Sequence, residues 1–335
     1  MSTVESGGAP VFLTGATGFI GRRLARALSE RGYRLRCLVR NPARAGDLTA
    51  LGAELVVGDA ADDAAVRKGL DGVRLACHVA GVYDFGAIDE AAMERANVGG
   101  TRAFLAGLRS ANVERALYTS TTIALGPAAH GVGGDDDVYH GPYPSAYHRT
   151  KTEAHHLATA AQRERAPLVI VCPALVYGPG GAGPGGGYIR DVLRHRVPGL
   201  STKPAWFSYV HVDDVVSGMI AALERGRLGA TYVLSGEHKS VNDFTSLIAR
   251  LGGTWAPPLR FPPTMIQATG SLMDAVGRLF GIRLPISREL ADTAGTGERW
   301  VHSHERATAE LGYAPRSLAD GLPETVRDAQ AQSGQ

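Results

Sequence analysis

Val11-Phe12-Leu13-Thr14-Gly15-Ala16-Thr17-Gly18-Phe19-Ile20-Gly21 is the stretch on which the reading of this 335-residue chain turns. The apolar run before the glycines predicts a strand over 10–14. The spacing after them predicts a helix over 18–31. Gly15, Gly18 and Gly21 therefore punctuate a strand–turn–helix unit. Such a unit aims backbone N–H groups and a helix N-terminus at one point, which suits an anion. Missing Cβ atoms permit the tight turn and the close approach of a pyrophosphate. The spacing is G-x-x-G-x-x-G rather than G-x-G-x-x-G. The stretch reads as a dinucleotide cradle, with Gly15, Thr17, Gly18, Phe19, Ile20 and Gly21 as candidate contacts.

Outward from it, apolar runs at 34–39, 54–57, 74–79, 115–119 and 168–172 alternate with helical spacing at 62–70, 89–110 and 144–165. Near-continuous apolar strands between helices argue a parallel sheet covered on both faces. The expected strand order is 3-2-1-4-5-6, with a segment near 208–212 extending the sheet. After Pro173 the pattern loosens. The glycine-rich stretch 178–187 reads as neither helix nor strand and is a candidate lid. The expected division is a dinucleotide-binding domain over 10–172 and a substrate-binding cap over 173–330, with 205–225 returning to the first.

Lys plus Arg number 35 and Asp plus Glu 33, so the net charge of +2 leaves no basic face for nucleic acid. Cys37, Cys77 and Cys172 lie in apolar runs without a C-x-x-C pair, so neither a disulfide framework nor a metal site is expected. No basic-then-apolar N-terminal segment reads as a signal peptide, and no uncharged stretch reaches the roughly 18 residues of a membrane span. A cytoplasmic protein without an integral span is expected.

The second strand ends Leu38-Val39-Arg40, and no acid occurs between Glu30 and Asp47. An acid at that strand end accepts a ribose 2′-OH, whereas an Arg suits a 2′-phosphate. Arg40, assisted by Arg44, thus favours NADP(H), with NAD(H) as the alternative. Asp59, followed by Ala60 after the third strand, is a candidate for the adenine. Tyr147 and Lys151 are four apart on one helix and share a face. An ammonium beside a phenol stabilises the phenolate, so such a Tyr can move the proton that accompanies hydride transfer. Thr119-Ser120-Thr121-Thr122 ends the fifth strand, where open α/β sheets bind ligands, and a hydroxyl there can hold a carbonyl beside Tyr147.

In chain order, Thr14–Gly21, His78-Val79-Ala80-Gly81, Asn97-Val98-Gly99-Gly100-Thr101, the hydroxyl run, Tyr147…Lys151, 173–179 and His211-Val212-Asp213-Asp214 resemble the extended short-chain dehydrogenases/reductases. The resemblance covers nearly the whole chain. It implies a Rossmann-type doubly wound parallel sheet with a smaller, mostly helical C-terminal substrate-binding part. It also implies an NAD(P)-dependent oxidoreductase with a hydroxyl–Tyr–Lys proton relay. Tyr147 would be the acid/base, and Lys151 would bind the nicotinamide ribose and tune Tyr147. The hydroxyl aligns with Thr121, counting back from Gly126, with Ser120 as alternate; the family more often has Ser there. Val79, Ala80 and Gly81 would follow the cofactor, and Pro173, Leu175 and Val176 would line the nicotinamide. Asn97 would lie near the cofactor or anchor its helix.

That family includes reductases, steroid-type dehydrogenases, and sugar-nucleotide epimerases and dehydratases. Sugar-nucleotide members typically carry Arg-x-x-Asn before Val-Tyr-Gly-Pro, where this chain has Cys172-Pro173-Ala174-Leu175. They often carry Arg-Asp before Tyr-x-His-Val, where this chain has Phe207-Ser208. A diphosphate needs charge-assisted donors. The chain is more similar to the dihydroflavonol reductase-like and 3β-hydroxysteroid dehydrogenase-like branch. Tyr83, Phe85, Ile123, Tyr177, Tyr188, Trp206 and Phe207 suggest a hydrophobic or aryl ketone, aldehyde or alcohol as the small-molecule partner. The leading expectation is an NADPH-dependent carbonyl reductase, reversible as an alcohol dehydrogenase. The alternatives are an epimerase/dehydratase with bound NAD(P) and a non-catalytic NADP sensor. Arg190, Arg194 or Lys203 are the basic residues that could rescue a phosphate site. The segment 263–280 has apolar residues at helical spacing and is expected to pack on the cap or in a homodimer, with a membrane surface as the weaker reading.

Overall fold

The computed structural model describes residues 10–83, 89–181, 184–280, 292–293, 295 and 297–332. Six strands build the centre: β1 (Val11–Thr14), β2 (Leu35–Val39), β3 (Glu54–Val57), β4 (Leu75–His78), β5 (Arg115–Thr119) and β6 (Leu168–Pro173). After β7 (Leu175–Tyr177), β8 (Leu200–Ser201) and β9 (Trp206–His211), β10 (Thr231–Leu234) joins them. The sheet runs β3-β2-β1-β4-β5-β6-β10, parallel throughout.

Period-two alternation sends side chains into two layers. Val11, Leu13, Cys37 and Leu117 face one core, and Phe12, Leu38, Ala76 and Tyr118 face the other. The helices are α1 (Phe19–Glu30), α2 (Gly46–Ala50), α3 (Asp63–Leu70), α4 (Glu90–Glu94), α5 (Gly100–Ser110), α6 (Ala146–Arg163), α7 (Pro184–Leu193), α8 (Val212–Arg225), α9 (Val241–Leu251) and α10 (Pro263–Phe280). Residues of α1 and α8 fill the first layer; residues of α3, α5 and α6 fill the second. The three thiols are buried and free, and burial raises those of Cys37 and Cys172 to about 12.

Three local expectations are corrected. The seventh strand is Thr231–Leu234, not 208–212. β10 is buried on both faces, as a covered parallel sheet requires. β9 instead pairs with β7, β11 (Glu237–Ser240) and the short strand Arg299–Trp300 in a second sheet. There Phe207 and Tyr209 join an aromatic core with Phe244 and Trp300, and Ser208 accepts from the His302 N–H at 3.1 Å. The helix expected over 89–110 is α4 and α5 joined by a π turn at Arg95–Gly99. The end of 178–187 is helical, because α7 starts at Pro184, a residue whose fixed φ suits a first helical turn.

Candidate active site

β1 and β4 are neighbours although β2 and β3 lie between them in sequence. Their C-terminal ends thus open a crevice at the topological switch point. Gly15 adopts φ +72°, and a Cβ there would lie 2.6 Å from the Ala80 nitrogen. A Cβ on Gly21 would lie 2.0 Å from the Gly15 carbonyl oxygen. Only glycine fits either position, and the backbone is left bare to a ligand. Gly18 is the N-cap of α1, with no side-chain cap and no acid in the first turn. The free N–H groups of that turn match the donor set a pyrophosphate needs. Thr14 fastens the crevice floor: its Oγ1 accepts from the Ala80 N–H at 3.3 Å and lies 3.0 Å from His78 Nδ1. Burial lowers the His78 pKa to about 3, so this ring is neutral.

A cavity of about 450 Å³ runs from this turn into the C-terminal part. Gly15, Gly18, Phe19, Ile20, Gly21, Val79 and Gly81 line its first end. Ser120, Thr121, Tyr147, Lys151, Pro173, Leu175 and Val176 line its middle. Ile123, Tyr188, Phe207, Tyr209 and Phe244 line the far end. Ser145 starts α6 by accepting from the His148 N–H, and the helix then carries Tyr147 and Lys151, both buried, to the wall. Lys151 Nζ donates to the Thr119 carbonyl at 3.2 Å. Its burial pulls the pKa down to about 8. The Tyr83 ring meets Tyr147 edge-on at 4.3 Å.

The two candidate hydroxyls differ. Ser120 Oγ lies 2.9 Å from Nδ1 of buried His155, whose pKa burial lowers to about 4. Thr121 Oγ1 accepts from the Ile123 N–H at 3.3 Å, which leaves its own proton for a ligand.

Several expected residues stand off the wall. Thr17, Arg40, Arg44 and Asp59 are exposed, Ala60 and Ala80 are half-buried, and none of them lines the cavity. Asp59 Oδ1 accepts from the Ala61 N–H at 2.9 Å. Asn97 is buried in the π turn with its amide consumed. It accepts from the Val82 N–H (2.8 Å) and donates to the Val82 carbonyl (3.1 Å) and Thr150 Oγ1 (3.1 Å), tying the loop after β4 to α6. Tyr177 lies off the wall, its ring 5.4 Å from that of His211. Trp206 packs under the Arg299 guanidinium. Phe85 lies outside the described residues. Of the glycine-rich stretch, Gly181, Gly185 and Gly186 reach the wall. Arg23 donates to the Pro179 carbonyl (2.6 Å), and the Gly180 N–H donates to Asp328 (2.7 Å). Among the described residues, none of α10 lines the cavity, and its Met265 and Leu272 are exposed. Among the described residues no helix is long and apolar enough to cross a membrane, and no cluster of metal-ligating side chains occurs.

Val82, His148, Tyr209, Val241, Phe244 and Thr293 also line the cavity without having been singled out. Strand periodicity signals Tyr209, two residues from Phe207 on the same face. Helix periodicity places His148 beside Tyr147 and Lys151.

Residues 11–235 match the family model described as the NAD dependent epimerase/dehydratase family. A putative dihydroflavonol 4-reductase of Synechocystis sp. is 30% identical over 328 residues, 94% of this chain and 93% of that one. Sterol demethylase protein B of Methylococcus capsulatus is 30% identical over 319 residues, 94% and 96% of the two chains. The crystal structure of gox2253 matches with a TM-score of 0.82 at 32% identity, covering 97% of this chain and 99% of that one. The chain belongs to the NAD dependent epimerase/dehydratase family. It is an NAD(P)-dependent oxidoreductase of the extended short-chain dehydrogenase/reductase type.

Proposed function

We propose that the protein is an NADPH-dependent reductase of hydrophobic, aryl-bearing ketones or aldehydes, reversible as an alcohol dehydrogenase. One observation carries this reading: among the described residues, Lys151 is the sole Lys or Arg on the cavity wall. A nucleotide diphosphate buried there would meet Phe207, Tyr209 and Leu175 instead of charge-assisted donors. Arg190 donates to the Gly181 carbonyl at 2.6 Å, and Arg194 and Lys203 are exposed off the wall. The relatives described as a putative dihydroflavonol 4-reductase and as sterol demethylase protein B support a substrate other than a nucleotide sugar.

A bound nicotinamide dinucleotide would supply or take the hydride. Gly15, Gly18 and Gly21 would hold its pyrophosphate, Arg40 and Arg44 its 2′-phosphate, and Val79, Gly81, Pro173, Leu175 and Val176 would enclose its reactive end. Tyr147 gives its phenolic proton to the carbonyl oxygen in reduction and takes one from the alcohol in oxidation. Lys151, fixed by the Thr119 carbonyl, stabilises the phenolate. Thr121 donates to the carbonyl oxygen and orients it. Ser120 is held by His155 and ties the end of β5 to α6.

The test is NADPH oxidation with a panel of aryl ketones and aldehydes, beside calorimetry with UDP- and dTDP-sugars. Reduction of panel members without sugar-nucleotide binding is expected. Micromolar binding of a nucleotide sugar with no carbonyl reduced overturns the reading.

A further inference from the structure

Five of the eleven large apolar side chains that the described residues expose fall in one short stretch: Leu251, Trp255, Leu259, Met265 and Leu272. Trp255 is 57% exposed, although its ring is among the largest apolar surfaces a side chain can bury. On α10, Met265, Ala268, Leu272 and Ala275 recur at i, i+3, i+7 and i+10, and all four are exposed. That spacing makes one outward stripe without a polar side chain. Apolar surface gathered in this way marks a docking face.

A second segment completes the face. The short strand Arg260–Phe261 pairs with β8, and the Leu200 N–H donates to the Leu259 carbonyl at 3.0 Å. Trp255 stacks on the His195 ring at 4.4 Å, and His195 Nε2 lies 3.0 Å from Thr254 Oγ1. The segments 192–203 and 250–273 therefore adjoin. They carry Arg194, Arg196, Lys203, Arg250 and Arg260, all exposed, and neither contains an Asp or Glu. The whole-chain charge of +2 averages this local excess away. Two acids meet the segments from outside. Asp191 is 3.8 Å from Arg196, and Asp292 accepts from Gln267 at 2.8 Å, on the side of α10 away from the stripe.

The charge pattern selects the occupant. A second copy docked symmetrically on this face would set these arginines against their own kind. A nucleic-acid backbone would meet the arginines and leave Leu259, Met265 and Leu272 in water. A surface that takes both kinds of side chain is anionic outside and apolar beneath.

We propose that this face docks on an anionic lipid bilayer, with Trp255, Leu259 and Met265 at the headgroup level and the arginines on lipid phosphates. Basic residues interleaved with Trp and Leu are the composition of segments that lie in one leaflet, so no span is needed. α7 and α9 carry Tyr188 and Phe244 on the cavity wall, and both end at this face, at Leu193 and Leu251. On the reductase reading, the enzyme would then work where apolar carbonyls collect. The docking itself does not depend on that reading.

The test is sedimentation of the full chain with vesicles, followed also by tryptophan emission. Trp206 is half-buried and Trp300 buried, so Trp255 is the ring whose emission should shift to the blue. Binding is expected to vesicles of phosphatidylglycerol and phosphatidylcholine in equal parts, weakened by added salt and absent with phosphatidylcholine alone. Arg194→Gln/Arg250→Gln should weaken it about twentyfold, at about fivefold per charge. Arg67→Gln/Lys68→Gln removes two exposed charges from α3 and should change it little. Trp255→Ser should weaken it about tenfold and abolish the blue shift. Circular dichroism melts establish that each variant is folded. No sedimentation with the anionic vesicles, equal sedimentation with neutral ones, equal losses in the two charge variants, or unchanged binding by Trp255→Ser each overturns the proposal. A dimer by light scattering that Trp255→Ser dissociates would give the face to a second copy, and it also overturns it.

Discussion

At the scale of single residues, the proposed chemistry concentrates on α6. Tyr147→Phe keeps the ring against Tyr83 and removes the transferable proton. NADPH binding should persist while kcat falls about 10²-fold or more, the usual scale of acid–base catalysis; turnover within a few-fold of wild type would remove Tyr147 from the role. Lys151 makes a separate claim on stability. Its pKa falls from 10.5 to about 8 in the folded chain. Between those values the folded state binds fewer protons than the unfolded one, so stability rises with pH across that window. Lys151→Met removes the dependence. The difference in urea midpoint between wild type and variant, without cofactor, should therefore move in favour of the wild type from pH 8 to 10. A difference that stays flat would mean the ammonium is solvated. That Tyr147, Lys151 and the hydroxyl run 119–122 share one wall was legible in the sequence, because helix spacing and strand position carry it. The distinction between Thr121 and Ser120 was not, because it depends on His155 reaching Ser120 from the next turn of α6.

At the scale of elements, the strand–turn–helix around Gly15–Gly21 is where sequence and structure agree most closely, since Gly15 and Gly21 are each demanded by a local clash. Gly21→Ala should destabilise the protein by about 1–3 kcal/mol, the cost of overpacking, and weaken NADPH. Gly46→Ala, where an added Cβ meets nothing within 4 Å, is the control and should be near neutral. Equal midpoints for the two would refute the close approach. The β2 end is argued from chemistry: Arg40 is exposed with no acid until Asp47, which pairs with Arg22 at 3.2 Å. Arg40→Ala should weaken NADPH roughly ten- to hundredfold while changing NADH little; equal losses would assign Arg40 to the surface. Two of the three corrected elements, β9 and the π turn, share a cause. β9 alternates like a strand of either sheet, and only its partners choose between them. The π turn is set by Asn97 bonding to Val82 and Thr150, contacts that cross 15 and 53 residues and leave no local pattern.

At the scale of the whole molecule, the question is whether the main sheet with its helices and the second sheet with its helices are one cooperative unit. α8 packs against α1 and against β5 and β6, yet it begins where β9 of the second sheet ends. At its start Asp214, largely buried, accepts from the Arg316 backbone N–H (3.0 Å) and from Arg316 Nε (3.1 Å). Arg316 also reaches Glu324 on the helix Leu318–Ala331 at 3.5 Å. This one guanidinium links the last helix to the main sheet's covering layer. Arg316→Ala leaves Asp214 short of a donor and should cost about 1–3 kcal/mol; the side chain is about a third exposed, which places the value toward the low end. The three tryptophans, Trp206, Trp255 and Trp300, all lie in the second half of the chain. Tryptophan fluorescence therefore reports that half, while far-ultraviolet circular dichroism reports both. Coincident urea transitions by the two probes are the mark of a single unit. They are expected in the wild type and, at lower urea, in Arg316→Ala. A fluorescence transition that runs ahead of the dichroism would show two units held by a weak seam, and the cavity between glycine cradle and aromatic end would then open before the sheet unfolds.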